Sequence, residues 1–286
     1  MPHWHFMLAG NDDMDSRETR WPDMLRQRIV TAVIALAVLG VVLFLMPGVI
    51  ARVVIAAMFL AGAWEWGGFV FRDNSASRVI YVGFIGALML LSFLYVNEQP
   101  RLDWLFEAAI AWWLVALIWM FFFPTPIPKV VIWLAGMLVL VPAWASLDFL
   151  YTVSQRLLLF VLLIVWVADI GAYFVGKGFG QVKLAPQISP GKTWEGVLGG
   201  LTAVALLASL GSQFLEADVS VLIPFCLAVT MLSVVGDLTV SMFKRNAALK
   251  DSGSLLPGHG GVLDRIDSLT AAAPLFALAF NWIGLR

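Results

Sequence analysis

The chemically active residue types of this chain are concentrated in residues 241–268, where lysines, arginines and aspartates alternate with glycines. Asp264 and Asp267 are three positions apart and would share a face on a helix. Paired carboxylates suit a magnesium ion that also holds substrate phosphates, and lysine and arginine suit phosphate oxygens. The segment therefore predicts a site for magnesium and a phosphorylated substrate. The alternative is a solvated loop with incidental charge pairs. His259 by itself is uninformative, since its imidazole could bind phosphate, act as an acid or only fix the loop.

A second polar segment runs from Ile188 to Gly196 and contains Gly-Lys-Thr at 191–193. A phosphate-binding P-loop requires a glycine five positions before Gly191, but Pro186 stands there and we expect no preceding strand. Ser189 or Thr193 can instead cap the helix that follows. Its free N–H groups and Lys192 would then form an anion site. The alternative is a lysine that reaches lipid headgroups.

Carboxylates inside apolar segments are costly to insert and are therefore candidates for function, and three of them are singled out. Glu65 lies between two tryptophans, Asp169 follows Ala168, and Asp237 follows Gly236. Ser241 and Lys244 follow Asp237 at i+4 and i+7, on the same helix face. The alternative for each carboxylate is a packing residue paired with a lysine or arginine.

The composition predicts an integral membrane protein. Of 286 residues, 61% are hydrophobic and 13% are charged, whereas soluble domains carry about 25% charged residues. A spanning helix needs about 20 apolar residues. That length gives about nine candidate spans, roughly 29–46, 48–71, 79–95, 105–123, 129–150, 157–176, 195–216, 219–242 and 269–285. We predict an all-α polytopic bundle without strands: a polar extension over 1–23, expected to be poorly ordered, and one catalytic domain over 24–286, with its site mainly in 165–268.

Charge placement predicts the orientation. If the N-terminus is cytoplasmic, 14 of the 18 lysines and arginines face the cytoplasm, as the positive-inside rule requires. We therefore predict a cytoplasmic N-terminus and an external C-terminus, with both polar segments in the cytoplasm. The net charge of -1 gives no attraction to nucleic acid. A single cysteine, Cys226, excludes an intramolecular disulfide.

The stretch from Ser241 to Asp267 resembles the signature of the phosphatidate cytidylyltransferases. The matching elements are Ser241, Lys-Arg at 244–245, Lys-Asp at 250–251, Pro-x-His-Gly-Gly at 257–261 and Asp-Arg-x-Asp at 264–267. The segments 188–196, 168–173 and 64–66 also resemble bacterial members, so that the resemblance covers about residues 24–286. The polar extension does not match the family pattern.

The resemblance implies that CTP and phosphatidic acid give CDP-diacylglycerol and pyrophosphate, in a bacterial inner membrane and with a divalent cation such as Mg²⁺. It implies Asp237 and Asp264 as metal ligands, with Asp267 in or beside that site. Residues expected in catalysis are Lys192, Lys250, Asp251, His259 and Arg265. Residues expected to bind substrate are Ser189, Thr193, Ser241, Lys244, Arg245, Gly260 and Gly261. Asp169 and Glu65 are further candidates, and a second, monovalent cation and a homodimer are further expectations.

Two other classes of membrane protein would also carry buried carboxylates. A secondary transporter would show inverted repeats and charges at mid-membrane, but we find no repeat and the charges cluster at one face. A lipid phosphotransferase that moves phosphatidyl groups would begin its motif with Asp-Gly, a pair that does not occur in this chain.

Overall fold

The computed structural model describes residues 38, 40–72, 74–98, 102–255, 260–280 and 283. The chain divides into two units, Met1–Ala51 and Arg52–Arg286. In the described part of the first unit, residues 40–44 are helical. The predicted polar extension over 1–23 and most of the predicted span 29–46 lie outside the described residues.

Long helices dominate the described chain. Their bounds are Gly48–Val70 (α1), Ser75–Glu98 (α2), Asp103–Met120 (α3), Lys129–Val153 (α4), Gln155–Phe179 (α5), Trp194–Phe214 (α6), Val219–Asn246 (α7) and Leu263–Ala279 (α8). Helices satisfy their own backbone polar groups, which a lipid environment requires. By length and composition, α1 to α7 can each cross a membrane. The chain is therefore a mostly helical polytopic membrane protein, as its sequence predicts.

These seven helices coincide with the second to eighth predicted spans. The last predicted span, 269–285, differs because its helix begins earlier, at Leu263, and has 17 residues. The sequence assigned the charged residues 264–267 to a loop, but the first turn of a helix accommodates polar side chains and favours acidic ones. The total number of spans and the side on which each terminus lies stay predictions.

The prediction that the chain has no strands is wrong at one place. Lys183–Ala185 (β1) and Ser189–Thr193 (β2) form an antiparallel hairpin, with Lys183 opposite Thr193 and Ala185 opposite Ser189. Its ends are closed by backbone hydrogen bonds from Ile188 N–H to Ala185 O and from Trp194 N–H to Val182 O. Pairing satisfies backbone groups that an extended polar segment would otherwise leave to solvent. The hairpin leads directly into α6.

Glycines bring α5 and α6 into close contact. A Cβ atom placed on Gly171 would lie 2.8 Å from Gly199 O, and one on Gly200 would lie 2.8 Å from Ala168 O. Small residues at such positions allow membrane helices to approach closely. We call Gly171, Gly199 and Gly200 the glycine seam.

Helix α8 lies among its neighbours. It packs against α3, α4, α5 and α7, and nearly all of its residues from Ile266 to Pro274 are buried. Its N-terminal residues therefore meet the end of α7 and the described parts of the loop between them, residues 247–255 and 260–262. Most of the signature resemblance falls at this junction.

Candidate active site

Asp237 lies on α7 and is contacted from two elements. The hydroxyl of Ser241, one turn further along α7, donates a hydrogen bond to Asp237 Oδ1 at 3.3 Å. The Lys192 ammonium, on β2, forms an ion pair with Asp237 Oδ2. The predicted placement of Asp237 and Ser241 on one face of α7 is therefore confirmed, whereas Lys244, the third member of the predicted stripe, pairs with Asp264. The pairing with Lys192 was not predicted, since no periodicity relates β2 to α7.

Asp264, in the first turn of α8, is surrounded by donors. Lys244 Nζ, on α7, lies 2.7 Å from Asp264 Oδ1, and both side chains are nearly buried. Asp264 Oδ2 accepts hydrogen bonds from the N–H groups of Ser252 at 2.9 Å and Gly261 at 3.1 Å. Burial by itself would raise the pKa of this carboxyl, which precedes the apolar part of α8. The hydrogen bonds and the Lys244 charge outweigh burial, so the pKa of Asp264 is lowered and the group is ionised.

Asp237, Asp264 and Asp267 are the candidate ligands for a metal ion. Asp267 is buried on α8, and it interacts electrostatically with Asp237 on α7. Within the described ranges, no group of three or more His, Cys, Asp or Glu side chains is arranged to hold a metal ion. Magnesium is commonly held by one or two carboxylates and substrate phosphates. Asp237 and Asp264 each already have a lysine partner, so a divalent ion would have to take the place of that lysine at either carboxylate.

A cavity of about 450 Å³ opens between α5, α6, α7 and β2, and Asp169, Lys192, Thr193, Thr230 and Ser233 line it. A second cavity, of about 380 Å³, is bounded by the end of α3, the hairpin, α6 and α7 and is mostly apolar. The two share Val197 and Val234 in their linings. The arrangement places a charged compartment beside an apolar one, which suits an amphiphilic ligand.

Thr193 is the N-cap of α6, which confirms one of the two caps that the sequence offered, Ser189 or Thr193. Its hydroxyl accepts a hydrogen bond from Gly196 N–H at 3.2 Å. Ser189, the other alternative, lies in β2 and pairs with Ala185.

Glu65 has different partners from those that the packing alternative predicted. Its buried carboxylate accepts hydrogen bonds from the Ser252 hydroxyl at 3.0 Å, from Val262 N–H at 3.1 Å and from Leu263 N–H at 2.8 Å. These donors are a hydroxyl and two backbone groups, not a lysine or arginine. Sequence reasoning missed Ser252, because a serine in a glycine-containing loop carries no distinctive spacing.

The other predicted site residues lie around the same junction. Arg245 Nε donates to Ile188 O at 3.1 Å and so ties α7 to the hairpin. Lys250 and Asp251 are exposed in the loop that follows α7, and Arg265 is exposed in the first turn of α8. Gly260 has a φ of 81°, which glycine adopts without strain. His259 lies outside the described residues.

Comparison with known proteins identifies the family. The model of the cytidylyltransferase family matches residues 26–283. A phosphatidate cytidylyltransferase of Pseudomonas aeruginosa is 42% identical over 272 residues, which cover 91% of this chain and 97% of that protein. One of Haemophilus influenzae is 35% identical over 288 residues, covering 91% of this chain and 100% of that protein. On this evidence the chain belongs to the cytidylyltransferase family.

Proposed function

We propose that this chain transfers the cytidylyl group of CTP to phosphatidate, giving CDP-diacylglycerol and pyrophosphate. The observation that carries the proposal is a set of two ion pairs in a chain of this family: Lys192 with Asp237 links β2 to α7, and Lys244 with Asp264 links α7 to α8. The two adjoining cavities support an amphiphilic substrate, with the phosphate in the charged one and hydrocarbon in the apolar one.

The reaction joins two anions. A phosphate oxygen of phosphatidate forms a bond to the α-phosphorus of CTP, and the bond from that phosphorus to the bridging oxygen breaks. The electron pair leaves with pyrophosphate. Because the nucleophile is already anionic, the main requirements are positioning and charge neutralisation. Lys192, Lys244, Arg245, Lys250 and Arg265 are the cations that we assign to the phosphates, with Lys192 and Lys244 turning from their aspartates toward the substrate.

We assign the divalent cation, magnesium or a similar ion, to carboxylates of α7 and α8. Asp237 and Asp267 would hold it, and Asp264 would contribute when Lys244 turns to a phosphate. When bound, the ion would supply further positive charge at the phosphates. Asp264 also holds the loop through Ser252 and Gly261, so it has a role in either state. A second, monovalent cation and a homodimer stay predictions.

We place the reaction on the cytoplasmic side of a bacterial inner membrane. The charge asymmetry of the sequence supports this orientation. CTP would then enter from the cytosol, and phosphatidate would enter laterally from the lipid.

The proposal is tested with the purified protein in detergent. Incubation with labelled CTP, phosphatidate and MgCl₂ should give a lipid-soluble cytidine product and an equal amount of pyrophosphate. A variant with Asp237→Asn should give almost none. Well-folded wild-type protein that makes no cytidine lipid would overturn the assignment, and full turnover after complete chelation of divalent ions would overturn the metal part alone.

A further inference from the structure

The carboxylate of Glu65 closes the N-terminus of a helix to which it does not belong. Glu65 lies near the end of α1, and its oxygens accept hydrogen bonds from the N–H groups of Val262 and Leu263 at the start of α8. The N-cap residue of α8 is Val262, whose side chain has no atom that could accept these bonds. A carboxylate is favoured there because the first N–H groups of a helix lack partners within it and carry partial positive charge.

The backbone of the loop fits closely around this carboxylate. A Cβ atom on Gly253 or on Gly261 would collide with the Glu65 carboxylate. Both positions therefore require glycine as long as Glu65 stays in place. Ser252, Gly253 and Gly261 therefore enclose the side chain of Glu65, and the residue is only 3% exposed.

Ser252 connects Glu65 to the proposed reaction site. Its hydroxyl donates to Glu65 Oε2, and its N–H donates to Asp264 Oδ2. Asp264 in turn pairs with Lys244. A single residue, Ser252, thus connects the carboxylate of Glu65 to that of Asp264.

We infer that Glu65 is a positioning residue for the reaction proposed above: it holds Ser252 and the N-terminus of α8 so that Asp264 stays in place beside Lys244. The inference rests on the proposed function. Glu65→Gln tests it, because glutamine keeps the shape but replaces one acceptor oxygen with an NH₂ group that faces donors. The loop should then loosen while the helices stay assembled.

Limited proteolysis reports on the loop without any assay of activity. We expect Glu65→Gln to speed tryptic cleavage after Lys250 about 10-fold or more. Cleavage after Lys183 in the hairpin should be unchanged and serves as the internal reference. Glu107→Gln, at an exposed glutamate on α3, is the matched control and should leave both rates at the wild-type value.

Kinetics separate positioning from general damage. The magnesium concentration at half-maximal rate should rise about 10-fold or more in Glu65→Gln, as for other residues that hold metal ligands in place. The KM for phosphatidate should change less than twofold. Ser252→Ala should shift the magnesium requirement in the same direction by a smaller factor. The double variant should raise the magnesium requirement by less than the product of the two single factors, because both substitutions remove the same hydrogen bond between Ser252 and Glu65.

Wild-type proteolysis and magnesium dependence in Glu65→Gln would overturn the inference, and so would fully multiplicative effects in the double variant. If Glu65→Gln does not insert, Ser252→Ala decides alone by the same two measurements. Failure of the proposed function looks different: wild-type protein would make no product, while the proteolysis would still report on the loop.

Discussion

At the scale of single residues, two of the proposed metal ligands are each held by a lysine: Asp237 by Lys192 and Asp264 by Lys244. Each lysine neutralises a carboxylate that would otherwise carry an uncompensated charge until a metal ion binds. Exchanging partners keeps both charges compensated, since an ammonium can turn to a phosphate when a cation reaches the carboxylate. Removal of a lysine should therefore affect catalysis more than folding.

Lys192 is the clearest test of that exchange. We expect Lys192→Ala to lower kcat/KM about 10-fold or more, because a cation aimed at phosphate charge is lost. Lys129→Ala removes an exposed lysine at the start of α4 and should leave turnover at the wild-type level. Equal activities of the two purified variants would show that Lys192 is not needed for turnover.

Asp237→Asn keeps the side-chain shape and removes its charge. We expect an inserted, folded protein whose turnover falls on the order of 100-fold. Asp218→Asn is the control, because Asp218 caps α7 by accepting from Ser220 N–H and asparagine caps equally well. Turnover and thermal unfolding should both be measured. If Asp237→Asn turns over CTP at the wild-type rate, Asp237 is not part of the site.

Asp148 is a buried aspartate that has a structural partner outside the proposed site. It forms a two-point ion pair with Arg52, at 2.6 Å for both contacts, and Arg52 also lies 4.7 Å from the Phe93 ring centroid. Asp148→Asn would leave Arg52 without its carboxylate partner. We expect a loss of about 2–3 kcal/mol in unfolding free energy, below the value for a fully buried pair because Arg52 is partly exposed.

Thermal unfolding in detergent would measure that loss. The double replacement Arg52→Met with Asp148→Leu should be closer to wild type than Asp148→Asn, because it leaves no unpaired charge. An unchanged unfolding midpoint in Asp148→Asn would show that the ion pair contributes nothing to stability.

At the scale of elements, apolar length predicted the positions of α1 to α7, because that pattern is local. The hairpin was missed because its residues, Lys, Pro and Gly among them, show no strand alternation, and pairing alone gives them their structure. The early start of α8 was missed because its first N–H groups are satisfied by Glu65, which is distant in sequence. The identities of the charged site residues were visible in the sequence, but the pairs that they form across elements were not.

The N-cap of α6 gives an element-scale prediction. Thr193→Ala removes the acceptor for Gly196 N–H and should lower the unfolding free energy by about 1 kcal/mol, whereas Thr193→Ser should not. Thr202→Ala is the matched change within α6, where Thr202 is exposed. A thermal midpoint in Thr193→Ala equal to that of Thr202→Ala would contradict a capping role.

At the scale of the whole molecule, α6 separates two polar segments. It has 21 residues, a length of about 30 Å and sufficient to cross the hydrocarbon core. The hairpin and the start of α7 should therefore lie on opposite sides of the membrane. Our orientation places the hairpin in the cytoplasm.

Single cysteines test that orientation. In a Cys226→Ala background, an impermeant maleimide should label Ser220→Cys in intact spheroplasts. It should label Lys183→Cys only after the membrane is opened. Both positions are exposed, so accessibility within the fold does not decide the result. Labelling of Lys183→Cys alone in intact spheroplasts would invert the orientation.

The glycine seam also determines which substitutions α5 and α6 can accept. At Gly171 and Gly200 even one methyl group would meet a backbone oxygen of the facing helix, so the whole pair would have to move apart. Elsewhere on α6, Leu198, Leu206 and Leu210 are exposed, and lipid accepts many apolar shapes. A library of random variants selected for growth should therefore be almost empty of substitutions along the seam and rich in them at these exposed leucines. Mutational tolerance would trace the line along which the two helices meet.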